Sequence, residues 1–206
     1  MVLNDPNPYK FNFIDGDFGL PGDIKLYDML VFDFDCTITK FHTCSNHLTK
    51  TDAALPNALD MYIGLENALR FKLLIDNARK LGIKAAIASY GKKDVILVLM
   101  NQIFGIVDNP FNAENIITPA DISAKFGIQW LECHNQPLTH NKNNMLEILS
   151  ERYDTPRDDI LLVDDTGGNI ETALGSDYGG IAVSRCKGFD SVISELEEVI
   201  KSLPGL

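Results

Sequence analysis

The chain is poor in positive charge. Its 18 lysines and arginines stand against 29 aspartates and glutamates, for a formal net charge of -11. Such a balance repels nucleic-acid backbones and anionic membranes, so neither is expected as a partner. Long apolar runs are missing too, and none approaches the roughly 20 residues of a membrane-crossing helix. Met1-Val2-Leu3-Asn4-Asp5-Pro6 offers no basic n-region and no apolar h-region, so no secretory signal is read there and a cytoplasmic setting is expected. Cysteine is scarce. Cys36, Cys44, Cys133 and Cys186 form no CxxC pair and are too few for a disulfide scaffold, which suits a reducing compartment.

What is present suffices for one compact domain. The 206 residues are 45% hydrophobic, enough for a substantial core. Residues 1–28 are rich in Pro, Gly, Asn and Asp and read as an N-terminal arm lying on the domain formed by 29–206. Asp15-Gly16-Asp17 starts like a calcium loop but lacks the later ligands, so a turn is the reading. Short continuous apolar runs at 30–32, 83–88, 160–163 and 180–183 predict buried strands, and 115–118 and 128–132 are weaker strand candidates. Helical spacing predicts helices over 65–81, 93–104, 141–153, 169–174 and 189–203, the last with Phe189, Val192, Ile193, Leu196, Val199, Ile200 and Leu203 on one stripe. Residues 38–64 read as mixed and loop-like. Strands and helices alternate, and the strands lack a period-two pattern. The expected architecture is therefore α/β, a three-layer Rossmann-like parallel sheet with helices on both faces. Ligands of such sheets sit at the carboxyl ends of the strands.

Four polar features fall at those ends or open the following helix. They are Asp33-Phe34-Asp35-Cys36-Thr37, Ser89 with Tyr90-Gly91, Lys142, and Asp164-Asp165 after the run 160–163. Taken singly, each has an ordinary explanation: a cap, a turn former or a solvated lysine. Taken together they do not, because acids gathered at one sheet edge repel one another unless a cation lies between them. Oxygen ligands without an accompanying Cys/His set point to Mg²⁺ rather than Zn²⁺.

DxDxT at Asp33, Asp35 and Thr37, a strand-end Ser89, Lys142, and an apolar strand followed by Asp164-Asp165 resemble the four motifs of the haloacid dehalogenase-like (HAD) superfamily. The likeness has the right order, runs from about Leu30 to Ala173, and includes Asn169-Ile170-x-x-Ala173 after the acidic pair. It implies that Asp33 is a nucleophile forming an aspartyl-phosphate and that Asp35 is the general acid, then base. Thr37, Ser89 and Lys142 would contact the phosphoryl group. Mg²⁺ would be held by Asp33, the Asp35 carbonyl and Asp165, with Asp164 helping to position the site. An acid two residues after the nucleophile resembles the phosphatase branch. Cys36 stands where the family often has Gly, and a packed thiol is the reading. No cysteine begins a C-x5-R loop, so a cysteine-dependent phosphatase is set aside.

The intervals between motifs leave little for a cap. Residues 38–64 make at most a rudimentary cap or flap, and the interval from Ser89 to Lys142 is largely consumed by its helix and weak strands. The chain thus resembles the capless magnesium-dependent phosphatases. An open cleft would admit an exposed phosphoprotein, phosphotyrosine first among candidates. The alternatives are a phosphatase of small sugar or nucleotide phosphates, a phosphotransferase, and an inactive HAD-fold binding module. His42, Cys44 and His47 would bind zinc only with a further ligand such as Cys133 or His134, so a place on the rim is preferred. Phe41 and Tyr90 are candidate substrate contacts by position, with ordinary packing weighted more.

Overall fold

The computed structural model describes residues 27–43, 46–127 and 142–183. The N-terminal arm up to residue 26 with its Asp15-Gly16-Asp17 turn, the weak run 128–132 and the helix expected over 189–203 lie outside the described residues.

Five parallel strands form one sheet in the order β3-β2-β1-β4-β5. They are β1 (Met29–Phe32), β2 (Lys84–Ala88), β3 (Ile116–Ile117), β4 (Ile160–Asp164) and β5 (Gly179–Ala182). β1 is central. Leu30 pairs with Ala85 on one side and Leu161 on the other, and Phe32 with Ile87 and Val163. The strands are almost wholly apolar because both faces are covered; the exceptions stand at the ends, Lys84 opening β2 and Asp164 closing β4. Leu30, Phe32, Ile87, Leu161 and Val163 join one core cluster, and Met29, Val31, Ala86, Ala88 and Leu162 join the other.

The first face is covered by α3 (Leu65–Lys80) and α4 (Lys93–Phe104). Phe71 lies at its centre, edge-on to Phe32 at 5.3 Å and stacked on Phe111 at 5.9 Å. Burying a side chain of that size contributes about 2–3 kcal/mol. The far side of α3 exposes Leu65, Leu69 and Leu73, so this helix is apolar on two sides. The second face is covered by α5 (Pro119–Phe126), α6 (Asn143–Tyr153) and α7 (Gly167–Leu174). At β5 the sheet needs glycine. A Cβ on Gly179 would lie 2.6 Å from the Tyr27 ring, and one on Gly180 would lie 2.9 Å from Ile170.

Three local features depart from the sequence expectation. Residues 38–64 are not simply loop. They carry α1 (Lys50–Ala53) and α2 (Ala58–Tyr62), whose Ala53, Ala58 and Tyr62 are buried in the first core cluster. Gln102 of α4 ties the segment down by donating to the Ala53 carbonyl at 2.8 Å. Helix α5 was not expected at all. Pro119 sits in its first turn, and the Asp121 carboxylate accepts from the Thr118 N–H at 2.8 Å, a capping box. Helix α7 begins at Gly167, two residues before the expected start. No described helix is long and apolar enough to cross a membrane.

The order β3-β2-β1-β4-β5 also locates the crevice. From β1 the chain moves outward through β2 to β3, then returns to the other side of β1 to place β4 and β5. Helices diverge to opposite faces at that reversal, and the carboxyl ends of β1 and β4 are where such a sheet binds its ligand. Asp33 follows β1 directly, and Asp164 ends β4.

Candidate active site

Asp33 is pinned by its own backbone, whose N–H donates to the Val163 carbonyl at 2.8 Å. The chain then turns sharply, with the Ile38 and Thr39 N–H groups both returning to the Phe34 carbonyl at 3.0 and 2.9 Å. This turn carries Thr37 back beneath Asp33. The Thr37 hydroxyl donates to Asp33 Oδ2 at 3.1 Å and accepts from the Asp165 N–H at 3.1 Å. One hydroxyl therefore links the end of β1 to the end of β4.

The turn forces Cys36 into the left-handed region, at φ +62°. For a residue with a Cβ that costs roughly 1 kcal/mol. Cys36→Gly should accordingly raise the unfolding free energy by up to about 1 kcal/mol, with the Thr37 to Asp33 bond and turnover preserved. Urea unfolding measures this. A loss larger than about 1 kcal/mol would show that thiol packing outweighs backbone strain.

The other oxygen of Asp33, Oδ1, accepts from Lys142 Nζ. Lys142 opens α6 and is 1% exposed. Its ammonium also contacts Asp164 Oδ2 at 2.8 Å and lies 5.8 Å from the centre of the Tyr90 ring. Burial lowers the lysine's proton affinity, but Asp33 and Asp164 more than offset it, and the net shift is upward. The same burial acts on Asp33. Desolvation raises its pKa, the adjacent Lys142 opposes this, Asp164 and Asp35 add to it, and the result is about 7. Burial also pushes the Tyr90 phenol up to about 12.

Asp164 is fully buried and its oxygens are occupied. Oδ1 accepts from the Thr166 N–H at 2.7 Å and from Asn169 Nδ2 at 3.1 Å; Oδ2 accepts from Asn169 Nδ2 at 3.0 Å and from Lys142. Asp165 is half-buried. Carboxylate oxygens of Asp33, Asp164 and Asp165 lie within 4.8 Å of one another. Lys142 contacts two of these carboxylates, Asp33 and Asp164. Three carboxylates this close together, all oxygen donors, fit Mg²⁺.

Asp35 is also buried, and its carboxylate is turned toward Thr43. Oδ1 accepts from the Thr43 N–H at 3.0 Å and from the Thr43 hydroxyl at 2.6 Å. Oδ2 is 4.0 Å from Nδ1 of the half-exposed His42. Ser89 follows β2 and is fully buried. Its N–H donates to the Ile117 carbonyl at 3.0 Å, and its Oγ accepts from the Gly91 N–H at 3.0 Å, which leaves the hydroxyl proton to be donated. A Cβ on Gly91 would stand 3.2 Å from Ser89 Oγ and 3.3 Å from Thr43 Oγ1, so these hydroxyls border the same spot.

Asp33, Thr37, Lys142, Asp164 and Asp165 thus form one connected network, with Asp35 close enough to Asp33 to act on its charge and Ser89 beside Thr43 across Gly91. Thr43 joins it through Asp35, although its surroundings in the sequence carry no periodic or motif signal. His42 stands beside Asp35 on the rim, and Cys44, Cys133 and His134 lie outside the described residues. Phe41 packs edge-on against Tyr62 at 5.5 Å, which is ordinary packing.

No protein-family model matches the chain, and no curated protein matches it. Solved structures do. An uncharacterized protein from Corynebacterium glutamicum aligns over 87% of this chain and 98% of its own, with 18% identity and a TM-score of 0.50. A predicted HAD-like family hydrolase from Porphyromonas gingivalis aligns over 84% of this chain and 98% of its own, with 12% identity and a TM-score of 0.50. The chain therefore has the HAD-like α/β fold.

Proposed function

We propose that the chain is a magnesium-dependent phosphatase that hydrolyses phosphomonoesters through an aspartyl-phosphate on Asp33. One observation carries this reading. A buried carboxylate at the β1/β4 crevice is held by a hydroxyl on one oxygen and an ammonium on the other, with carboxylate oxygens of Asp164 and Asp165 within 4.8 Å.

In the first step a carboxylate oxygen of Asp33 attacks phosphorus. The bond to the leaving oxygen breaks, and the carboxylic acid of Asp35 gives that oxygen its proton. In the second step the Asp35 carboxylate takes a proton from water, the water oxygen bonds to phosphorus, and the phosphorus–Asp33 bond breaks. Inorganic phosphate leaves and Asp33 is regenerated. The Ser89 hydroxyl and Lys142 hold the phosphoryl oxygens, and Thr37 keeps Asp33 aimed. Mg²⁺ would be held by Asp33, Asp165 and the Asp35 carbonyl, where it would neutralise phosphoryl charge. Asp164 is not given that place, because its oxygens accept from Lys142, Asn169 and Thr166. Asp164 acts by orienting Lys142.

The substrate reading is an exposed phosphoprotein, phosphotyrosine first. It is supported by 38–64 folding as two short helices into the first core cluster, where a cap would have to stand over the strand ends. Turnover of p-nitrophenyl phosphate should vanish with a chelator and return with Mg²⁺. A panel of phosphotyrosine and phosphoserine peptides against sugar and nucleotide phosphates tests the substrate. A preference for small sugar phosphates by orders of magnitude in kcat/KM would overturn the phosphoprotein reading. No magnesium-dependent turnover would leave the binding-module alternative.

A further inference from the structure

We propose that Thr43 is a positioning residue for proton transfer, fixing Asp35 by one oxygen so that the other exchanges the proton. The proposal rests on the phosphatase reading, in which Asp35 is the acid and then the base. Asp35 lies in a turn, two residues past the strand-end nucleophile, and its carboxylate could rotate about two side-chain bonds. Thr43 removes that freedom. Its N–H and its hydroxyl both reach Oδ1, at 3.0 and 2.6 Å. A 2.6 Å bond from a hydroxyl to a carboxylate is in the short, charge-assisted range. Both donors converge on one oxygen, and among the described residues Oδ2 faces His42 Nδ1 at 4.0 Å, so Oδ2 is the oxygen that gives and takes the proton.

Thr43 is itself held in place. It is buried, and its carbonyl accepts from the Leu48 N–H at 3.0 Å. Asn46 Nδ2 closes the same turn on the His42 carbonyl at 2.7 Å. The Lys40 N–H donates to the Tyr62 carbonyl at 2.9 Å, so the ends of the segment are clamped together. The hydroxyl faces Gly91, where even a methyl group would lie 3.3 Å away. Segment 38–64 therefore does more than cover core: through Thr43 it reaches the proton-transferring carboxylate. A proton donor misplaced by about 1 Å forfeits on the order of 100-fold in rate.

The test compares Thr43→Val, Thr43→Ser and Asp35→Asn, with the double variant Asp35→Asn/Thr43→Val. The substrates are p-nitrophenyl phosphate and an alkyl phosphomonoester, whose poorer leaving group depends on the acid. Thr43→Val should lower kcat on the alkyl ester by about 10- to 100-fold with KM within about twofold. Thr43→Ser should recover most of that loss. In the Asp35→Asn background, Thr43→Val should add less than about threefold, because Thr43 acts through Asp35. Equal losses in Thr43→Ser and Thr43→Val, or a full further loss on top of Asp35→Asn, would overturn the proposal. A separate arm needs neither metal nor turnover. The Thr43 amide proton in the metal-free protein should shift upfield in Asp35→Asn, because a charged acceptor is lost. An unmoved amide proton would overturn the contact whatever the kinetics show. An enzyme without turnover but with the amide shift would instead overturn the phosphatase reading.

Discussion

Asp33→Asn should abolish turnover, lowering kcat by at least about 10³-fold, while the protein stays folded. The size follows from the chemistry: an amide oxygen does not form the phosphoryl bond, and removing a nucleophile from a covalent mechanism forfeits most of the catalysis at once. The fold should survive because the Thr37 hydroxyl can still meet the side chain and Lys142 keeps Asp164 as a partner at 2.8 Å. Single-turnover assays and circular dichroism decide it. Residual activity within about tenfold of wild type would remove Asp33 from the nucleophile's role.

The same variant reads out the electrostatics of the crevice. Burial, reinforced by Asp164 and Asp35 and opposed by Lys142, raises the Asp33 pKa to about 7 in the metal-free protein. Its unfolded value is near 4, at about 3.9. The folded state therefore binds more protons between those values, and stability falls as pH rises through that window. Metal-free wild type should lose thermal stability between about pH 4 and about pH 7, relative to Asp33→Asn, which has no such proton to lose. Added Mg²⁺ should restore wild type most at the upper end, because it favours the ionised form. Parallel pH profiles of the two proteins would contradict this account of the buried carboxylate.

The sheet was legible because its signal is local. Runs such as Leu30-Val31-Phe32 and 160–163 are apolar at every position, which a strand buried on both faces requires. The motif residues were legible because carboxylates, a serine and a lysine fell at the ends or starts of those elements. Lys142 shows the limit of reading residues singly. By itself a lysine at a helix start is most often solvated, yet here it is among the largest fully buried side chains. Only the acids from two distant strands explain it, and that pairing is set by topology. Helices α1 and α2 span four and five residues, too few to show a 3.6 period. Helix α5 had a readable start in Thr118-Pro119-Ala120-Asp121, a capping signal that begins on the last residue of the weak strand run 115–118. Thr43 left no trace, because its role depends on how segment 38–64 folds back toward Asp35.

Lys142→Met should give the largest loss of stability of any single change at the crevice. The substitution keeps an unbranched side chain of similar length but removes the ammonium between Asp33 and Asp164, both nearly fully buried. Breaking a buried ion pair from one side typically costs about 3–5 kcal/mol, because the remaining charge is left without compensation. For a domain of this size that corresponds to a drop of about 6–20 °C in Tm. Two carboxylates then face each other without a cation, so at least one must hold a proton. A carboxyl whose folded pKa is raised contributes stability below its unfolded value and loses it as pH rises. The deficit against wild type should therefore be small near about pH 4 and grow toward neutrality. Salt should hide little of it, since the pair is shielded from solvent. Mg²⁺ should recover part of the stability by supplying a cation near Asp33. It should not recover turnover, because the phosphoryl oxygens would still lack the ammonium. Lys142→Arg is not a mild version of this change: a planar fork is wider than an ammonium in a site enclosed by Asp33, Asp164 and Tyr90. A Lys142→Met protein that melts within about 2 °C of wild type at neutral pH would mean that the two carboxylates are already neutralised by a proton. Lys142 would then not be the charge on which the arrangement depends.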